Sequence, residues 1–217
     1  MSFTPAKIID SPQAGSHKNL KNIVVKHLSS EFKKPIAQYS QIAFDTFYQR
    51  WLELGSPKII LDSACGTGES TRYFSRQYPY HLVVGLDQSA KRLLNSDNKI
   101  PANNSLLLRC DCTDFWRIAE KSQINVEKHF LLYPNPWPKP QHFQRRWQGH
   151  AALPSLLAIS DSIELRTNWQ VYAQEFHEAL SLAGRCTTFS RYESTLHITA
   201  FERKYTLSQH DLWQVKA

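Results

Sequence analysis

Short apolar runs and amphipathic stretches alternate along most of this chain. The first amphipathic stretch spans residues 36–54, where Ile36, Tyr39, Ala43, Phe47, Trp51 and Leu54 recur at helical spacing. Gly55-Ser56-Pro57 stops it. Strands are then expected at 58–62, 81–87, 106–111, 128–133 and 162–167. Helices are expected between or after them at 69–77, 90–95, 115–121 and 169–182. Residues 187–217 read as further β structure. Continuous apolar strands separated by helices predict an α/β fold, with a mostly parallel sheet covered by helices on both faces. No internal repeat or low-complexity tract is visible.

Composition narrows this picture. With 217 residues, 41% of them hydrophobic, the chain can bury one sizeable core. Residues 1–35 are polar and carry Lys18, Lys21, Lys26, Lys33 and Lys34, so they are expected to form a basic, partly ordered arm. Residues 36–217 then form the domain. The net charge of +7 favours a polyanionic partner, nucleic acid before membrane. No run of about 18 apolar residues predicts a spanning helix, and no apolar signal core follows Met1. The four cysteines, at 65, 110, 112 and 186, form no Cys-x-x-Cys pair. Free thiols in a reducing cytoplasm and no metal are the expectation.

Ligands of open parallel sheets bind beyond the carboxyl ends of the strands. Three successive strands end on acids here. The first runs into Asp62-Ser63-Ala64-Cys65-Gly66-Thr67-Gly68, where Gly66 and Gly68 permit a tight turn and close backbone approach. The second ends at Asp87, placed to accept ribose hydroxyls. The third ends Arg109-Cys110-Asp111-Cys112, where Asp111 can accept from an adenine amino group. Each acid could also simply end a strand or cap a helix. A dinucleotide site would prefer glycine at position 71, where this chain has Thr71. S-adenosylmethionine lacks phosphates and carries a sulfonium and an ammonium, which suit an acidic pocket. It therefore fits better than NAD.

The fourth strand leads into Tyr133-Pro134-Asn135-Pro136-Trp137-Pro138-Lys139, followed by His142, Arg145 and Arg146. This stretch resembles the loop of the tRNA (guanine-N7)-methyltransferase family, of the TrmB type, through Pro136, Trp137, Lys139, His142, Arg145 and Arg146. Thr167-Asn168-Trp169 and Thr199-Ala200-Phe201-Glu202-Arg203 resemble two further segments of that family. The resemblance covers roughly residues 55–217. It implies a Rossmann-like class I methyltransferase fold with an antiparallel C-terminal strand, and methyl transfer from S-adenosylmethionine to tRNA in the cytoplasm. The enzyme would act as a monomer or homodimer. By position it implies cofactor contacts at Asp62, Asp87, Asp111 and Asn135, to which Gly66, Gly68 and Cys112 are added as neighbours in the turns. It implies substrate contacts at Lys139, Asn168, Thr199 and Glu202, with Arg145 and Arg146 as phosphate ligands.

The family has Asp where this chain has Asn135 and Asn168. Guanine N7 carries a free lone pair, so no general base is needed, and Asn135 is expected to act in catalysis by holding the base. Losing a carboxylate removes charge that would stabilise the cationic product ring. Two alternatives follow. Asn135-Pro136-Trp137 also resembles the loop of methyltransferases acting on exocyclic amino groups. A non-catalytic RNA-binding relative is the other. Trp137 can stack on a base or anchor the loop.

Overall fold

A computed structural model describes residues 4–94 and 103–217. These residues group into two compact units. The sheet unit comprises Lys33–Leu131 and Ser155–Ile163; the loop unit comprises Met1–Phe32, Leu132–Pro154 and Glu164–Ala217.

The sheet unit carries β1 (Ile59–Ser63), β2 (Leu82–Asp87), β3 (Ser105–Arg109) and all but the last residue of β4 (Lys128–Leu132), in the order β3-β2-β1-β4 and all parallel. Every residue of β1 and β2 is buried, which is what a sheet covered on both faces requires. The order reverses between β1 and β4, so a switch point for ligands lies at their carboxyl ends. Phe44 and Phe47 of α2 (Gln38–Glu53) pack against Phe115 of α5 (Cys112–Lys121), each with ring centroids 5.3 Å apart. Phe74 of α3 (Glu69–Gln77) stacks on Phe130 of β4 at 4.0 Å. The short helix α4 covers Ala90–Leu94, and the expected end at residue 95 lies outside the described residues.

Position 71 shows how this fold manages without a third glycine in the helix. Gly85 on β2 supplies the clearance instead. A Cβ there would run into Thr71 Oγ1 and lie 2.7 Å from Leu107 Cδ2. Gly85→Ala is therefore expected to destabilise the protein by about 1–3 kcal/mol through overpacking. A denaturation curve matching wild type would contradict that close approach.

The loop unit holds α1 (Leu20–Leu28), β5 (Ile163–Thr167) from its second residue, α7 (Gln170–Leu182), β6 (Thr188–Arg191), α8 (Ala200–Leu207) and β7 (Trp213–Lys216). Its strands run β5-β7-β6, with β7 antiparallel to both neighbours. The fold is thus the mostly parallel α/β type with an antiparallel C-terminal strand. Helix α6 (Leu153–Ile159) and two 3-10 turns, Pro140–Arg145 and Trp147–Gly149, complete the described elements.

Two corrections to the sequence reading stand out. The tail is not wholly β. Thr199 caps α8 by accepting the Glu202 N–H at 2.9 Å, so Thr199-Ala200-Phe201-Glu202 starts a helix. The basic arm contains α1, which buries Leu20 and Val24 and packs on α7. No helix among the described residues is long and apolar enough to cross a membrane.

Candidate active site

The turn after β1 is built from left-handed backbone. Ala64, Gly66 and Gly68 have φ of 60°, 62° and 71°. A non-glycine residue rarely holds such a φ, and it does so mostly at functional turns. Two backbone bonds fix the turn: Cys65 N–H donates to Leu86 O at 2.9 Å, and Gly68 N–H to Cys65 O at 3.0 Å.

The three strand-end acids differ in what they hold. Asp87 Oδ2 accepts the Gly66 N–H at 3.0 Å and Oδ1 accepts the Ser89 N–H at 2.8 Å, so it ties β2 to the glycine turn. Asp111 caps α5, its Oδ1 accepting from Thr113 N and Oγ1 at 2.9 and 2.8 Å. Its Oδ2 lies 3.3 Å from Lys34 Nζ. Burial pushes this carboxyl up, but the Thr113 donors and Lys34 outweigh burial and leave it below its ordinary range. The capping role foreseen as the plain alternative thus operates at Asp111. Cys112 follows as the first residue of α5; burial pushes its thiol well above its ordinary range, a backbone hydrogen bond with Ala64 opposing.

Asp62 is different. Its side chain is fully buried, and Oδ2 accepts from Ser70 Oγ at 2.6 Å and Thr71 Oγ1 at 2.7 Å. Its other oxygen, Oδ1, is buried with no hydrogen-bond partner. Burial raises this carboxyl to about 6, against the two hydroxyl donors, and Asp87 raises it further. A buried acceptor without a donor is costly, so this one fits an ammonium or hydroxyl donor of a ligand. The donor role of Ser70 and Thr71 is not legible in the sequence, since nothing about a hydroxyl at a helix start distinguishes a carboxylate donor from a cap.

The residues expected to meet substrate all lie in the loop unit. Asn135, Lys139 and Arg145 are exposed. Trp137 is half-buried, with the Arg145 guanidinium 4.8 Å from its ring centroid and the His142 ring edge-on at 5.6 Å. Asn168 Nδ2 lies 3.1 Å from His210 Nδ1.

Two expected substrate residues point elsewhere. Arg146 is 0% exposed. Its Nη1 donates to both Glu175 oxygens at 2.8 and 2.6 Å, and Nε and Nη2 donate to Trp137 O at 3.2 and 3.0 Å. A guanidinium committed to a buried carboxylate and a carbonyl is no phosphate ligand. Glu202 is also 0% exposed. Its Oε1 accepts from Tyr133 Oη and Arg166 Nη1, each at 3.0 Å, and Oε2 accepts from Ile198 N at 2.8 Å. It anchors protein groups here rather than facing a base. Burial and the neighbouring Glu202 push the Tyr133 phenol well above its ordinary range, so it remains a hydrogen-bond donor. Arg166 and Glu175 carried no signal in the sequence, because each lies far from the loop it serves.

Comparison with known proteins identifies the family. The family model Methyltransf_4, described as "Putative methyltransferase", matches residues 56–215. A tRNA (guanine-N(7)-)-methyltransferase of Pseudomonas fluorescens (strain Pf0-1) is 25% identical over 206 residues, covering 77% of this chain and 83% of the relative. One of Mycoplasma genitalium is 26% identical over 145 residues, covering 63% of this chain and 68% of the relative. Among solved structures, the 16S rRNA methyltransferase KamB superposes with a TM-score of 0.59 at 17% identity, over 85% of this chain and 94% of that one. At that identity the likeness bears on the fold alone. The family match spans the glycine turn after β1 and the 133–146 loop and runs on to residue 215, and the chain belongs to this methyltransferase family.

Proposed function

We propose that this chain transfers a methyl group from S-adenosylmethionine to N7 of a guanine in tRNA. The relatives' named activity and the 133–146 loop support this reading. The single observation that carries the cofactor half is Asp62 Oδ1, a buried, partnerless acceptor beside a left-handed glycine turn. Asp62 would hold the cofactor's ammonium, while Asp87 and Asp111 would meet its ribose and adenine.

When bound, the cofactor supplies an electrophilic methyl group on a positively charged sulfur. Guanine N7 carries a free lone pair, so a base held by Asn135 would take that methyl group directly, with the sulfur leaving as a neutral thioether. No proton moves, so no side chain has to act as a base. The protein's task is to position the base and exclude water. Asn135 would hold the base through its amide, and Trp137 would stack on it or its neighbour. Exposed Lys139 and Arg145 would hold phosphates. The reading places the chain in the cytoplasm with its tRNA, as a monomer or homodimer.

Transfer of radiolabelled methyl from S-adenosylmethionine to unmodified tRNA tests this. Label in tRNA is expected; cofactor binding without label in any RNA would support the non-catalytic alternative instead.

A further inference from the structure

Asn135 sits between two non-glycine residues with left-handed backbone, Tyr133 at φ 52° and Trp137 at φ 46°. Such residues persist only where their surroundings hold them. Both holders are visible within the loop unit, and each is an arginine–glutamate pair whose carboxylate is fully buried. At Tyr133, the backbone N–H donates to Arg166 O at 2.7 Å, and the phenol donates to Glu202. Arg166 closes that cluster by reaching Glu202 at 3.0 Å and Glu164 at 2.6 Å. At Trp137, the carbonyl accepts from Arg146, which Glu175 holds.

The N-terminal segment completes the second cluster. Gln13 Oε1 accepts from Arg146 Nη2 at 3.1 Å, while Gln13 Nε2 donates to Glu175 Oε1 at 2.5 Å. The His17 N–H donates to the same oxygen at 3.0 Å, and Ser11 Oγ donates to Pro138 O at 2.7 Å. A purely solvated arm would make none of these bonds.

We infer that Arg166–Glu202 and Arg146–Glu175, the latter braced by the N-terminal segment through Gln13, are positioning pairs that fix the backbone on either side of Asn135 and so aim Asn135 and the Trp137 ring at the base. This rests on the methyl-transfer reading above. The pairs touch no reacting atom; they act through the loop. Removing one neutral donor from each cluster should loosen the loop while leaving both ion pairs made.

Tyr133→Phe and Gln13→Ala are the variants that do this. Each removes hydrogen bonds of a size that converts to about tenfold. Each should therefore lower kcat about tenfold, with the KM for tRNA and the affinity for S-adenosylmethionine close to wild type and the melting temperature lower by only about 3–6 °C. Hydrogen exchange at the amides of Tyr133, Asn135 and Trp137 should accelerate by a similar factor in both variants, with no substrate present. Wild-type kcat and exchange in the folded variants would overturn the inference. So would a parallel loss of kcat and cofactor affinity with a larger fall in melting temperature, which marks general destabilisation. If the wild-type protein methylates no RNA, the functional reading fails, and exchange at these three amides still decides whether the pairs hold the loop.

Discussion

Asp62→Asn is expected to weaken S-adenosylmethionine binding by about 100-fold without lowering the melting temperature, since hydrogen bonds to charged groups contribute roughly 1.5–3 kcal/mol. The amide oxygen can still accept from Ser70 and Thr71, so the start of α3 keeps its anchor. What disappears is the charge at the buried oxygen that has no protein partner. The amide would present a donor there, facing a cation. Stability moves the other way. The folded carboxyl is raised from 3.8 to about 6, so its protonated form is favoured in the fold. That contribution to stability is present below 3.8 and is lost as pH rises through about 6. At neutral pH Asn relieves a buried charge.

The same shift sets the pH dependence of binding. If the charged form of Asp62 holds the ammonium, affinity is flat above pH 6 and falls about tenfold per unit below it. The Asn variant should lose that slope. Calorimetry at several pH values reads both effects. Equal affinity of the wild-type protein at pH 5 and pH 8 would remove Asp62 from the cofactor site.

Arg146→Ala should be the most destabilising of the basic-residue changes, by about 3–5 kcal/mol, because it leaves a buried carboxylate without its countercharge. Glu175 is 0% exposed and would keep only neutral donors from Gln13, His17 and Gln148. For a chain of this length that corresponds to a fall in melting temperature of roughly 6–20 °C. Arg145→Ala is the contrast. Its side chain is exposed beside the Trp137 ring. Stability should stay within about 0.5 kcal/mol, while tRNA affinity falls. A phosphate-binding role for Arg146 would give the reverse pattern, with lost affinity and unchanged stability.

The adjacent arginines show where sequence reading stops. Both belong to the loop resemblance, and nothing in the local spacing says which turns inward. That choice depends on Glu175, 29 residues further along, and on Gln13 in the N-terminal segment. The parallel strands were legible because burial on both faces demands continuous apolar runs, and the bounds of α3 were read as observed. Helix α1 is hard to read from sequence because it buries only Leu20 and Val24, within a stretch otherwise rich in lysine. Helix α8 begins on a Thr199-x-x-Glu202 capping pattern, which is legible in the sequence, but the same residues also carry the family resemblance. In the cofactor half, the glycine turn and three acids were readable from strand ends. The division of labour among the acids was not. It depends on Ser70, Thr71, Thr113 and Lys34, which decide which carboxylate oxygen is left over.

Asn135 and Asn168 bear most directly on the acceptor atom. Both are polar but uncharged, and a reaction that moves no proton can proceed without a carboxylate base. The decisive measurement is nucleoside mass spectrometry of unmodified tRNA after incubation with the protein and S-adenosylmethionine. Methyl transfer to guanine N7 predicts a gain of 7-methylguanosine that depends on both protein and cofactor. Methyl groups appearing only on exocyclic amino nitrogens, or on no nucleoside at all, would contradict it.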